Sequence, residues 1–131
     1  MIDSDLHNAI RTRFGTEVAT TESLVTIYDN DPTSPPTDGS AWCRLSIRRS
    51  DTEQVETGPS SFRRHGRVYA QLFGPVEKGD GELLELADAI VAAFEGVCAG
   101  GVRYCEATVR PIGNDKKGSY QVNVEIRFMA D

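Results

Sequence analysis

The densest group of chemically capable side chains is basic. Arg63, Arg64, His65 and Arg67 fall within five residues, and Arg48 and Arg49 precede them on a segment that reads as the opposing strand. If the two segments pair, five guanidiniums and an imidazole converge, and each needs a carboxylate, a phosphate or water. Three uses fit: contact with nucleic acid, a salt-bridged seam between subunits, or a solvated patch that contributes little. The acidic excess of the rest of the chain favours the seam. The carboxylates Glu82, Glu85 and Asp88 recur at spacings of three along a helical pattern. Paired acids can do acid–base work when buried together. These lie opposite the apolar stripe of the helix, so solvation and complementarity to the helix dipole outweigh catalysis.

Other constellations are weaker. Cys43, Cys98 and Cys105 are odd in number and widely spaced, and His7 and His65 form no ligand pattern with them. A structural zinc site needs four ligands in a closed tetrahedron, so the thiols are expected to be inert and no metal is expected. Unpaired thiols suit a reducing compartment. The segment from Gly74 to Gly81 superficially resembles a phosphate loop but lacks the Gly-Lys-Ser/Thr ending, and its acids would repel phosphate. No nucleophile elbow and no H-E-x-x-H pair is present.

The chain has 131 residues with a formal net charge of −6, 39% of them hydrophobic and 26% charged. That size and balance predict one soluble globular domain over 1–131 with a core of its own. No apolar run reaches the ~20 residues that cross a bilayer, and none resembles a secretory signal. A chain this acidic does not grip nucleic acid with its whole surface, because such binding requires phosphate neutralisation.

The elements that must position these residues follow from periodicity. Ile2, Leu6, Ile10 and Phe14 form one stripe of a short helix, capped at its start by Asp3 or Ser4 and ended by Gly15 in a left-handed conformation. Residues 24–28 predict a strand. Residues 29–40 hold three prolines, Pro32, Pro35 and Pro36, and predict a long mobile loop. Residues 41–48 alternate, with Cys43, Leu45 and Ile47 on one face; residues 64–73 return with Val68, Ala70 and Leu72. Together they predict a long hairpin whose far end, through 51–61, is too polar for a core. Leu83, Leu86, Ala87, Ile90, Val91 and Phe94 make a helix over 80–96, with Asp80 as its cap and Gly96 as its stop. Two further strands, 102–110 and 119–129, close a hairpin around the turn at 113–118. The expected fold class is α+β: a single twisted antiparallel or mixed sheet with a long β-hairpin and two helices packed on it.

The order of these segments is familiar. Trp42-x-Arg44-Leu45-x-Ile47 is followed by Arg64-x-Gly66-x-Val68-x-x-Gln71-x-Phe73. After Gly79 and Gly81 come Leu86-Ala87-Asp88-x-Ile90-x-x-x-Phe94 and the terminal Gly118-x-Tyr120-Gln121-Val122-Asn123-Val124-x-Ile126-x-Phe128. With Tyr28-Asp29-Asn30 ahead of the proline-rich loop, the chain resembles the tail terminator (tail completion) proteins of long-tailed bacteriophages and related prophages. Its arginine content around 63–67 is higher than in some relatives.

The resemblance implies a structural virion protein, without catalysis or cofactor, that forms a ring of usually six subunits. Such a ring caps the tail tube, ends tube polymerisation and docks the tail to the head connector, while duplex DNA passes through without sequence-specific binding. The implied partners are further copies of the chain, the major tail tube protein and a head connector or stopper protein, with no membrane. The implied location is the head–tail junction of the virion, after assembly in the host cytoplasm. A body of this length has a radius of gyration of roughly 14 Å, and six such bodies in a ring leave a hole about as wide as one of them. Closed head-to-tail symmetry needs two different patches per subunit. Subunit contacts are therefore expected between the hairpin (Arg48, Arg49, Glu53, Glu56, Arg63, Arg64, Arg67) and the helix flank (Glu82, Glu85, Asp88). Partner docking is expected at Asp29, Asn30, Asp31, Pro32, Pro35 and Pro36. Net acidity in a DNA conduit would keep the duplex from sticking. The alternative is a small non-catalytic adaptor or head–tail connector component; an enzyme would need a pocket of perturbed titratable groups.

Overall fold

A computed structural model describes residues 3–54, 62–75, 80–114 and 118–131. It contains a helix α1 (Asp3–Phe14) that runs into a π-helical turn (Gly15–Ala19), strands β1 (Val25–Tyr28), β2 (Trp42–Gln54) and β3 (Phe62–Pro75), helix α2 (Gly81–Phe94), a short β4 (Cys98–Ala99), then β5 (Val102–Asn114) and β6 (Ser119–Ala130). The strands form one sheet in the order β1-β2-β3-β6-β5-β4. Only β1 runs parallel to its neighbour, β2; the other pairings are antiparallel. The sheet is thus mixed, and the α+β expectation is met with one extra strand, β4.

Both helices lie on the same face of the sheet. Alternation puts Cys43, Leu45 and Ile47 of β2, Val68, Ala70 and Leu72 of β3, and Val122, Val124, Ile126 and Phe128 of β6 inward. The register lines them up in rows, such as Leu45–Ala70–Val124 and Ile47–Val68–Ile126. Leu83, Leu86, Ala87, Ile90 and Phe94 of α2 and Leu6, Ile10 and Phe14 of α1 close the core from above. Phe94 joins the two helices to the sheet: its ring sits 6.2 Å from that of Phe14 and meets Tyr104 edge-on at 4.9 Å. Tyr104 is buried, and its hydroxyl has no hydrogen-bond partner among the described residues.

Two local expectations are corrected. Gly15 does not end α1 in a left-handed conformation. The chain continues through the π turn, where the Thr20 amide donates to the Gly15 carbonyl at 3.0 Å, and the left-handed residue comes only at Ser23 (φ 52°). The reason is packing: Val18, four residues past Phe14, extends the buried stripe, and stopping at Gly15 would expose it. Asp80 stands at the start of α2 but its side chain makes no capping hydrogen bond. The far end of that helix behaves as expected, with Gly96 at φ 73°. Ile2 of the first stripe lies outside the described residues.

The hairpin of β2 and β3 extends beyond the core, as its polarity implied, and bends at a bulge between Arg49 and Thr52. Gly66 sits beside that bulge: a Cβ there would lie 2.5 Å from the Arg48 carbonyl oxygen and 2.6 Å from Phe128 Cζ. Only a residue without a side chain lets the two strands and the Phe128 ring meet at this point.

Candidate functional site

The fold sorts charge. Residues 3–23 and 80–95, which hold both helices, carry nine acidic against two basic side chains, a net of −7. Strands β2, β3, β5 and β6 carry nine arginines against four acids, a net of +5. One layer of the molecule is acidic and the other basic. Glu82, Glu85 and Asp88 are all exposed along α2. Among the described residues none of the three forms an ion pair.

The hairpin cations converge as pairing required, and most meet carboxylates of their own chain. Arg48 Nη1 donates to Asp29 Oδ2 at 2.8 Å. Arg49 reaches Asp3 at the start of α1 and the Thr52 hydroxyl across the bulge. Arg63 Nε and Nη2 donate to the two Asp131 carboxylate oxygens at 2.7 and 3.3 Å. His65 Nε2 lies 3.0 Å from Glu53 Oε2. Arg67 stands 3.8 Å from Glu125, which Arg110 approaches more closely, at 3.2 Å. Arg64 is half-buried and has no acidic partner among the described residues. Glu56 lies outside them. The acids of α2 and the hairpin cations are therefore not brought together within one chain.

On the face of the sheet without helices, Arg127 and Arg110, which the sequence does not single out, join Arg48 and Arg67 of the hairpin. Arg48, Arg67 and Arg127 are direct cross-strand neighbours on β2, β3 and β6. Like charges placed opposite one another repel, and the row is balanced by Asp29, Glu125 and Glu106 around it. Arg127 forms a two-pronged bond with Glu106, at 2.7 and 3.0 Å, which holds that carboxyl down at about 2. Arg67, Glu106, Thr108, Arg110, Glu125 and Arg127 line a shallow depression of about 210 Å³. Towards the other end Arg44 stacks over Trp42, 5.5 Å from the ring, and Trp42 stacks on buried Phe73 at 4.4 Å. The alternation in 119–129 put Glu125 and Arg127 on a polar face. Their meeting with the hairpin needed the β3–β6 pairing, for which the sequence holds no local signal.

The loop at 29–40 is anchored where it leaves β1. Asp29 accepts from Ser46 Oγ and from Arg48. Asp31 accepts from the Thr33 hydroxyl and amide and from the Tyr28 amide, which lowers its pKa. Asn30 takes the left-handed conformation between them (φ 58°). Pro32, Pro35 and Pro36 follow; Pro32 and Pro35 are exposed and Pro36 is half-buried. Cys43 is buried, Cys98 exposed and Cys105 half-buried, and all three are free thiols. No group of three or more His, Cys, Asp or Glu among the described residues is placed to hold a metal ion. No helix among them is long and apolar enough to cross a membrane.

Comparison with known proteins places this architecture. The family described as phage tail terminator protein matches residues 5–128. Seven solved chains match. One of them superposes with a TM-score of 0.77 at 16% identity, covering 100% of this chain and 96% of its own. At that identity the likeness shows the fold alone. No curated protein matches.

Proposed function

This chain belongs to the phage tail terminator family, and from that premise we propose that it assembles head-to-tail into a closed ring at the end of the tail. The ring has six copies, caps the tail tube, stops its polymerisation and presents a face to the head connector, with duplex DNA passing through its centre. The work is structural; the residues act by binding, and no cofactor is involved.

The observation that supports this most is the division of charge between the two layers. A head-to-tail contact needs two different and complementary patches on each subunit. An exposed acidic flank on α2 and a basic hairpin that extends past the core supply such a pair. Arg48, Arg49, Arg63 and Arg67 each have a carboxylate within their own chain; of this cluster of five arginines only Arg64 has none among the described residues, which leaves it to a neighbour. In the ring it meets Glu82, Glu85 or Asp88 of the next copy. The loop at 29–40, pinned at Asp29 and Asp31, presents its exposed prolines to the tube or the connector.

The test is a charge swap. Arg64→Glu and Glu82→Lys/Glu85→Lys/Asp88→Lys should each fold, because charges with access to solvent carry little folding energy, and each should fail to form rings alone. Mixed together, reversed patches face one another at alternate contacts and rings should reappear. Rings from the arginine variant alone, with tails of normal length in particles assembled with it, would sink the proposed contact.

A further inference from the structure

The middle of the helix-free face of the sheet is charged and polar. The outward positions of this face across β2, β3 and β6 begin with the stacked pair Trp42 and Phe73 at one end and continue through Arg44, Ser46 and Arg48; Arg67, Tyr69 and Gln71; and Gln121, Asn123, Glu125 and Arg127. The exposed large apolar side chains among the described residues, Val25, Phe62 and Ile112, stand on the edge strand and towards the outer ends of the two long hairpins. They do not occupy the middle of this face. The fully buried core of a protein–protein interface is depleted of charge. Surfaces that meet nucleic acid are polar and strongly positive.

We infer that this face is a sequence-independent contact surface for the phosphate backbone of duplex DNA, carried by Arg44, Arg48, Arg67, Arg110 and Arg127. The choice of DNA as partner rests on the proposed ring, through which the duplex passes. The residues themselves come from the strand register. Arg48, Arg67 and Arg127 cross the sheet in one line, spaced by the ~5 Å between neighbouring strands, so that together they span about 10 Å. Side-chain exposures of 61%, 53% and 42% leave each able to reach a phosphate. The acidic helical layer repels the duplex, so the molecule can present only this side to it.

The carboxylates within the face set the strength. Asp29, Glu106 and Glu125 hold the guanidiniums at rest. A passing phosphate must compete with them, and the row regains its own partners as the phosphate leaves. The contact is therefore weak and renewable, which suits a duplex that moves. A bare row of arginines would hold it by counterion release.

The experiment uses the full chain and two fluorescent 30-base-pair duplexes of unrelated sequence, titrated between about 20 and 200 mM salt, where phosphate contacts weaken steeply. Wild type should bind both duplexes equally and lose affinity as salt rises. Arg44→Gln/Arg110→Gln/Arg127→Gln, which avoids every residue of the proposed subunit contact, should bind at least tenfold more weakly. Its salt slope should fall by up to about three, one for each phosphate contact removed. The corresponding triple lysine variant keeps the charge and should keep the binding, which separates loss of charge from loss of fold. Light scattering on the same samples reads the assembly state independently. A wild type that stays monomeric yet binds through these arginines bears out the inference and counts against the ring. Absence of duplex binding at the lowest salt, or binding untouched in the glutamine variant, overturns it. A glutamine variant whose mass changes while duplex binding does not would make the face a subunit contact, which also overturns it.

Discussion

Gly66 and Phe128 are matched across β3 and β6, and the ring of Phe128 fills the space where a side chain on residue 66 would begin. Gly66→Ala should therefore destabilise by ~1–3 kcal/mol through overpacking, read as a drop in the urea midpoint. Phe128→Leu in the same chain should recover part of the loss. It cannot recover all of it, because the Arg48 carbonyl, 2.5 Å from the new methyl group, is backbone. A fully stable Gly66→Ala would mean that the hairpin does not cross the sheet at this register.

The aromatic contact between the layers gives a second pair of expectations. Phe94→Ala removes a fully buried ring that touches both Phe14 and Tyr104 and should cost ~3–5 kcal/mol. Tyr104→Phe deletes a buried hydroxyl with no partner among the described residues. That change should be neutral or stabilising by up to ~1 kcal/mol, and a loss above ~2 kcal/mol would show that the hydroxyl is satisfied after all.

Acid should weaken the protein through its surface carboxylates. The bond from Arg127 holds Glu106 down at about 2, against an ordinary 4.5, and the bond from Arg63 lowers Asp131. A carboxyl with a depressed folded-state pKa contributes stability above its unfolded value, and that contribution is lost as pH falls through the window between the two. For Glu106 the window runs from about 4.5 to about 2. Denaturant melts at pH 6, 4 and 2.5 should show wild type losing more stability than Glu106→Gln across this range. Identical acid profiles would remove Glu106 from the account.

The loop at 29–40 should be cut selectively. Its first turn is held by Asp29 and Asp31, whereas residues 34–40 make only the local bond from the Ser40 amide to Asp38 among the described contacts. Limited proteolysis of the free protein should nick within 34–40 before any other site away from the termini. Asp31→Ala should extend cleavage back towards Tyr28. Protection of 34–40 in the free protein would count against a role in docking.

How much of this was legible depended on range. The stripe from Leu83 to Phe94 and the alternation from Val122 to Phe128 are local, period-bound signals, and they located α2, β6 and the buried face correctly. The π turn after Phe14 was not visible, because Gly15 carries the usual mark of a helix stop and only the burial of Val18 overrides it. Strand order was not visible either: nothing near Arg67 says that its neighbour on one side is Arg48 and on the other Arg127. For the same reason the basic cluster at 63–67 was recognised while its partners were not. Asp131 is 68 residues from Arg63, and Asp3 is 46 from Arg49. A one-dimensional reading sees the cluster and misses the sheet-wide row to which Arg67 belongs.

If two complementary layers close this chain into a ring, the mass of the wild-type protein by light scattering over a range of concentration and salt will show it. The expected species lies near six times the 14.3 kDa chain, about 86 kDa, and gives way to smaller species as salt screens the charged patches. A mass of 14.3 kDa at every concentration and at the lowest salt would contradict the ring.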